Sequence, residues 1–138
     1  MSRRIIRLGA AATLAALVVG GCSEPTAPER PIPGELTIRW TTPNADDRAA
    51  LLRVVVPAGM TTAVPEVATP GLEVFHRRTA DTLRIAVFGD LASGALVRVA
   101  VPDVRQASRV GAQVTEVSGA DDAVRASLAG YAVTVERP

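Results

Sequence analysis

Few side chains of this sequence have a type that supports covalent or acid–base chemistry. Cys22 is the only cysteine and His76 the only histidine. Nucleophilic catalysis needs a base within hydrogen-bond reach of the nucleophile and a third group that orients the base. His76 precedes two arginines, whose positive charge lowers the basicity of an imidazole. We therefore expect a surface histidine at a strand end and a protein that is not an enzyme. The alternative is a hydrolase that gathers His76 and acidic residues in one cleft.

Two pairs of neighbouring aspartates are the other candidates for chemistry, and both occur in stretches with turn composition. Calcium takes six to eight oxygen ligands, often from acidic loops, so the pairs could meet at one end of a domain. The D-x-D-x-D-G spacing of a calcium loop is absent, and turn formation or helix capping explains the same residues. We expect no metal and no cofactor. The weak calcium candidates are Asp46, Asp47, Asp121 and Asp122.

The first twenty-one residues have the layout of an export signal. Three arginines precede an uncharged run, Leu8–Val19, which is shorter than the roughly 20 apolar residues that a membrane-spanning helix needs. The run ends in Val19-Gly20-Gly21-Cys22, which resembles the lipobox of bacterial lipoproteins. This resemblance implies cleavage between Gly21 and Cys22, and attachment of acyl chains such as palmitate to Cys22.

The resemblance also implies where the protein resides. Each buried CH₂ group contributes about 0.8 kcal/mol, and two or more acyl chains on Cys22 would hold the protein stably on a membrane. The next residue, Ser23, is not an aspartate, which in this family permits sorting to the outer membrane of Gram-negative cells. We expect a cell-envelope protein exported by the Sec route. Arg3-Arg4 resembles part of a twin-arginine signal, but Arg7 departs from that pattern.

The remaining composition fits one small domain. All fifteen basic residues are arginine, against fourteen acidic residues, and removal of the signal leaves residues 22–138 slightly acidic. A nearly neutral surface with dispersed charge gives no case for nucleic-acid binding, which requires a clustered basic face. With Cys22 acylated no disulfide can form, so the fold must rely on packing.

Residues 22–33 are predicted to form a tether between the lipid anchor and the domain. Four prolines in twelve positions block helix and sheet and favour an extended chain that spans at most roughly 35 Å. The predicted division is therefore a lipoprotein signal peptide at 1–21, an acylated tether at 22–33 and a single domain at 34–138.

The domain is predicted to be an all-β antiparallel sandwich of seven or eight strands. Leu36, Ile38 and Trp40 alternate with polar residues, as in a half-buried strand, and similar segments recur between turn residues. Trp40 and Tyr131 are assigned to the core. A change of parity after Val114 indicates a bulge. Residues 102–109 are a loop or one helical turn, and 120–129 a helix or a loop. The predicted strands are 35–41, 50–56, 62–67, 72–78, 83–88, 95–101, 112–117 and 131–136.

Predicted strands 83–88 and 95–101 flank a connection with two glycines, which favours a hairpin. The passage Leu83–Leu96, LRIAVFGDLASGAL, is similar to the strand-loop-strand passage of cohesin-type β-sandwiches. That resemblance covers about a quarter of the domain and implies no partner-binding surface. An immunoglobulin-like sandwich is the alternative, although the Cys and Trp core of antibody domains is absent.

These features together predict a membrane-attached binding or structural module without catalytic function. An edge strand or loop surface would contact another envelope protein or a cell-wall glycan. Phe75 and Phe88 are the two aromatic residues that the alternation leaves free for exposure, so carbohydrate stacking is an alternative.

Overall fold

The computed structural model describes residues 29–138, which form eight strands in two antiparallel four-stranded sheets. This confirms the all-β sandwich prediction. The strand order is β3-β6-β1-β8 in the first sheet and β4-β5-β2-β7 in the second. The strands are β1 Gly34–Thr41, β2 Asp47–Val55, β3 Glu66–Val67, β4 Glu73–Thr79, β5 Thr82–Phe88, β6 Gly94–Val101, β7 Gly111–Gly119 and β8 Ala132–Glu136.

The core lies between the two sheets and follows from the period-two alternation of the strands. On β1 the predicted inward residues Leu36, Ile38 and Trp40 are all buried. The second sheet faces them with Leu52 from β2 and Ile85 from β5, both fully inaccessible to solvent. Each such side chain stabilises the fold by about 1.5–3 kcal/mol relative to an exposed one.

The predicted hairpin between β5 and β6 is wrong. β5 pairs with β4 and β2 in the second sheet, whereas β6 pairs with β1 and β3 in the first. The connection therefore crosses from one sheet to the other. Gly89 begins it at φ +128°, where a Cβ atom would lie 2.9 Å from the carbonyl oxygen of Gly71. The turn that does form a hairpin joins Thr79 to Thr82, between β4 and β5.

Strand β2 begins earlier than its apolar run indicates. The run predicts a start at Ala50, with Asp47 in a turn, but Asp47 is the first residue of β2 and is buried.

The bulge predicted near Val114 is confirmed. The register between β2 and β7 shifts between Leu51 and Leu52, and the hydroxyl of Thr115 donates a hydrogen bond to the Leu51 carbonyl oxygen at 2.9 Å.

The structure defines the two segments for which the sequence allowed either a helix or a loop. Residues Val104–Arg109 form a 3-10 helix that links β6 to β7, and residues 120–129 form a loop. The edge strand expected over 62–67 is reduced to the two residues of β3. No helix within residues 29–138 is long and apolar enough to cross a membrane.

The sandwich has two distinguishable ends. At the proximal end β1 begins at Gly34, and the 3-10 helix lies there between the ends of β6 and β7. At the distal end the loops after β1, β5 and β7 lie together around the start of β2. The chain arrives at the proximal end, so the proposed tether precedes that end.

Candidate functional site

Cys22, with the predicted cleavage position at Gly21, lies outside the described residues 29–138. The structure therefore bears on the domain and on the last residues of the predicted tether. Three features of the domain contain charged or aromatic side chains in unusual arrangements. They are a buried carboxylate at the distal end, an ion pair at the proximal end and the outer face of the second sheet.

The buried carboxylate belongs to Asp47, whose residue is 0% exposed. Its Oδ1 accepts hydrogen bonds from Arg125 Nε at 3.0 Å, from Arg125 Nη2 at 2.9 Å and from the Tyr131 hydroxyl at 2.9 Å. Its Oδ2 accepts a hydrogen bond from the Thr42 hydroxyl. Asp46 shares the arginine, accepting from Arg125 Nη2 at 2.6 Å. We call these five residues the aspartate cluster.

Arg125 reaches the aspartate cluster because the loop after β7 folds back on that strand. The amide of Arg125 donates to the Val117 carbonyl oxygen at 2.8 Å, and the amide of Gly119 donates to the Ala123 carbonyl oxygen at 3.1 Å. A Cβ atom on Gly119 would lie 2.9 Å from the Arg125 guanidinium carbon, so glycine leaves room for this side chain. Hydrogen bonds with Asp47, and then with Asp46, raise the pKa of Arg125 above its ordinary value.

The weak calcium candidates lie in and beside the aspartate cluster. The two aspartate pairs do lie in the same distal region, but a guanidinium occupies the position between the carboxylates of Asp46 and Asp47. Asp121 accepts a hydrogen bond from the Ala123 amide, and Asp122 adopts φ +59° in the turn. Within residues 29–138 no three His, Cys, Asp or Glu side chains are placed to hold a metal ion.

Tyr131 joins the core to the aspartate cluster. Its ring packs against Trp40, with ring centroids 5.4 Å apart, while its hydroxyl accepts a hydrogen bond from Asn44 Nδ2 at 2.6 Å and donates to Asp47. The alternation correctly predicts that Tyr131 packs inward, although the residue is only partly buried. The arrangement is suited to holding the distal loops in place, since its hydrogen bonds join the loop after β1 to Arg125 and Tyr131, which lie far along the chain.

The proximal ion pair connects the residues before β1 to the 3-10 helix. Asp103 caps that helix and accepts bonds from Arg105 Nε and Nη2, both at 2.9 Å. Arg105 also donates to the Glu29 carboxylate at 2.5 Å, and the Val104 amide donates to the Ile32 carbonyl oxygen at 2.9 Å. The hydrogen bonds from Arg105 lower the pKa of Asp103 below its ordinary range. Residues 29–32 of the predicted tether are therefore bound to the domain.

The outer face of the second sheet, here the exposed face, carries the two aromatic side chains that the alternation left free. Phe75 on β4 is 58% exposed and Phe88 on β5 is 44% exposed, which confirms that expectation. Their rings meet edge to face at a centroid distance of 5.8 Å. A shallow depression of about 220 Å³ runs from Phe75 to Arg77 and Arg84. The exposed face thus joins an aromatic pair to positive charge.

His76 lies on β4 as an exposed residue of an edge strand. No hydrogen bond of the described part joins it to a carboxylate, and it lies beside the depression between Phe75 and Arg77. Within residues 29–138, His76 therefore has no hydrogen-bonded carboxylate of the kind that the hydrolase alternative requires.

Comparison with known proteins does not add a family. No family model, no curated protein and no solved structure matches this chain.

Proposed function

We propose that this chain is a lipid-anchored protein of the cell envelope, and that its domain is a binding module without catalytic function. Attachment is supported by the order of a basic head, an apolar run and Gly20-Gly21-Cys22 at the N-terminus. The binding role is supported by one observation above the others, the exposed face with its aromatic pair and its arginines. Aromatic residues and arginine are enriched in protein interfaces.

Attachment is tested by metabolic labelling with a fatty-acid analogue, followed by membrane fractionation. Wild-type protein should take up the label and sediment with membranes, because acyl chains on Cys22 are its anchor. Cys22→Ala should take up none, and Ser23→Ala, which keeps the cysteine, should behave as wild type. Unlabelled wild-type protein, or a thiol found free by mass spectrometry of the processed chain, would contradict the proposed attachment.

The binding role is tested by thiol accessibility, because acylation of Cys22 leaves no other thiol in the chain. Gln113→Cys places a thiol on the exposed face, and Thr134→Cys places one on the outer face of the first sheet. In intact envelopes the first should react with a maleimide reagent more slowly than in purified protein, whereas the second should react equally in both. Equal reactivity at both positions in both preparations would show that the exposed face is unoccupied.

A further inference from the structure

Three arginines lie side by side across the exposed face. Arg84 on β5 is directly opposite Arg53 on β2 and directly opposite Arg77 on β4. All three side chains are exposed, and we call them the arginine row. Like charges at directly opposed positions of neighbouring strands destabilise a sheet. The fold therefore keeps an arrangement that costs it stability.

No acidic residue within residues 29–138 forms an ion pair with the arginine row. The ion pairs of that range involve other arginines, and the two on the outer face of the first sheet, Arg39 and Arg98, each lie beside a glutamate. The row borders a depression of about 530 Å³ with Thr79 and Thr82, where Asp81 supplies the single acidic side chain. Three adjacent guanidinium groups without an ionic partner in the described range are complementary to phosphate or carboxylate oxygens.

The arginine row lies near the proximal end of the sandwich, where the chain arrives from the tether. Arg53 is two residues from Val55, which pairs with Gly111 at the start of β7. The 3-10 helix ends just before Gly111, and the amide of its Val104 donates a hydrogen bond to the Ile32 carbonyl oxygen. An anchor on Cys22 would therefore direct this end, and not the distal one, toward the membrane.

The length of chain before the domain limits how far the row can be from the anchor. Glu29 is already bound to the domain through Arg105. Only seven residue steps separate it from Cys22, and seven steps span at most about 25 Å even when fully extended. Glu29 is thereby kept within that distance of the anchor, at the end of the sandwich near which the row lies.

Charge at the distal end favours the same orientation. The distal loops contain exposed aspartates on three separate connections, whereas a membrane surface rich in anionic lipid has a negative potential that repels carboxylates and attracts arginine. These aspartates are Asp46 and Asp90, which form ion pairs with Arg125 and Arg48, and Asp121 and Asp122, so carboxylates outnumber arginines there.

From these observations we infer that the arginine row binds the phosphate groups of anionic lipids in the membrane to which the protein is anchored, and so holds the exposed face against that membrane. The inference rests on the proposed attachment through Cys22 for bringing the row to a membrane. Its test uses chain without acyl groups, so failure of the inference and failure of the proposed attachment are separate results.

The test measures binding of the chain Ser23–Pro138, which contains both sheets and the whole described core, to lipid vesicles by co-sedimentation. Vesicles of equal parts phosphatidylglycerol and phosphatidylcholine are compared with vesicles of phosphatidylcholine alone. Wild type should bind only the first, and added salt should weaken the binding. Circular dichroism and thermal melting confirm that each sample is folded.

Two triple variants of equal net charge locate the binding. Arg53→Gln, Arg77→Gln and Arg84→Gln together should weaken partitioning on the order of 100-fold, because each arginine near an anionic surface contributes about fivefold. Replacing Arg39, Arg48 and Arg98 by glutamine should leave most of the binding intact. The central substitution Arg84→Gln alone should cost about fivefold, which keeps the test valid if the triple variant unfolds.

Three results would overturn the inference. The first is equal binding of wild type to both kinds of vesicle, and the second is equal loss of binding in the two triple variants. The third is binding to dextran sulfate that depends on the arginine row, without binding to the phosphatidylglycerol vesicles. That result would assign the row to an acidic polysaccharide.

Discussion

Strand β2 begins in the aspartate cluster at Asp47 and crosses the arginine row at Arg53, so one strand links two regions that use arginine in opposite ways. In the cluster, Arg125 donates to the carboxylates of Asp46 and Asp47 and is largely withdrawn from solvent. In the row, three exposed guanidinium groups lie next to one another, and no acidic residue among 29–138 forms an ion pair with them. The cluster fastens the chain to itself, whereas the row is free to bind something else.

Burial explains the difference between the two regions. An ionised group taken out of water must be paired and hydrogen-bonded, because an unpaired buried charge is far too costly. Solvent and salt screen exposed charges, so the row can persist unpaired at a modest cost in stability. The presence of arginine alone therefore says little about its role.

The largest change in the free energy of unfolding is expected when Asp47, the buried carboxylate of the aspartate cluster, is replaced. Asp47→Ala should lower the free energy of unfolding by about 3 kcal/mol, because it leaves Arg125 and Tyr131 without their common acceptor. Asp46→Ala is the matched control and should cost less than about 1 kcal/mol, since Asp46 is exposed. Urea denaturation measures both. Equal losses would show that burial does not distinguish these carboxylates.

The ion pair between Asp103 and Arg105 makes the stability of the fold depend on pH. Its pKa in the folded chain is lowered below the ordinary value of 3.8, because Arg105 donates hydrogen bonds to the ionised form. The stabilisation is therefore present above about pH 4 and is lost as the pH falls further. Asp103→Asn should be less stable than wild type at neutral pH, and its stability should decline less steeply below about pH 4. Parallel declines in urea denaturation at several pH values would contradict this account.

Replacing Arg84, the central residue of the arginine row, should increase the stability of the fold, whereas the substitution at Asp47 lowers it. Arg84→Gln relieves repulsion from Arg53 and Arg77, so we expect the free energy of unfolding to rise by about 0.5 kcal/mol. Salt should reduce the gain because it screens the repulsion. A loss of stability in low salt would mean that the fold itself depends on the row, and the contrast with the cluster would fail.

The smallest effect is expected at a paired arginine on the opposite outer face. Arg39 lies 3.7 Å from the Glu136 carboxylate, and both side chains are about half exposed. Arg39→Gln should therefore change the free energy of unfolding by less than about 0.5 kcal/mol in either direction. A larger change in thermal or urea unfolding would show that exposed arginines of this sandwich contribute to stability wherever they lie.

The sequence predicts those parts of the structure that depend on local patterns. Alternation identifies the strands and places Trp40 inside, and a parity change after Val114 locates the bulge at Thr115. Both signals come from neighbouring residues on one strand. The choice between a hairpin and a crossing at Gly89 is not local, because it depends on which sheet each strand joins.

The same limit explains what the sequence missed at the candidate sites. Alternation can indicate that Arg53, Arg77 and Arg84 point outward on separate strands, but only the register shows that they are adjacent. The pair Asp46-Asp47 is a weak calcium candidate in the sequence, yet the cation that these two carboxylates contact is Arg125, which a turn after β7 brings near them. Long-range pairing carries this information, and composition does not.

The most direct test of the whole account uses acylated protein in phosphatidylglycerol vesicles that contain a headgroup-attached quencher. A fluorophore is placed on Gln113→Cys, which adjoins the arginine row, or on Thr134→Cys, which lies on the opposite outer face. Strong quenching is expected at position 113 and weak quenching at position 134, and the difference should be lost when the three arginines of the row are replaced by glutamine. Equal quenching at both positions, or stronger quenching at 134, would contradict this expectation.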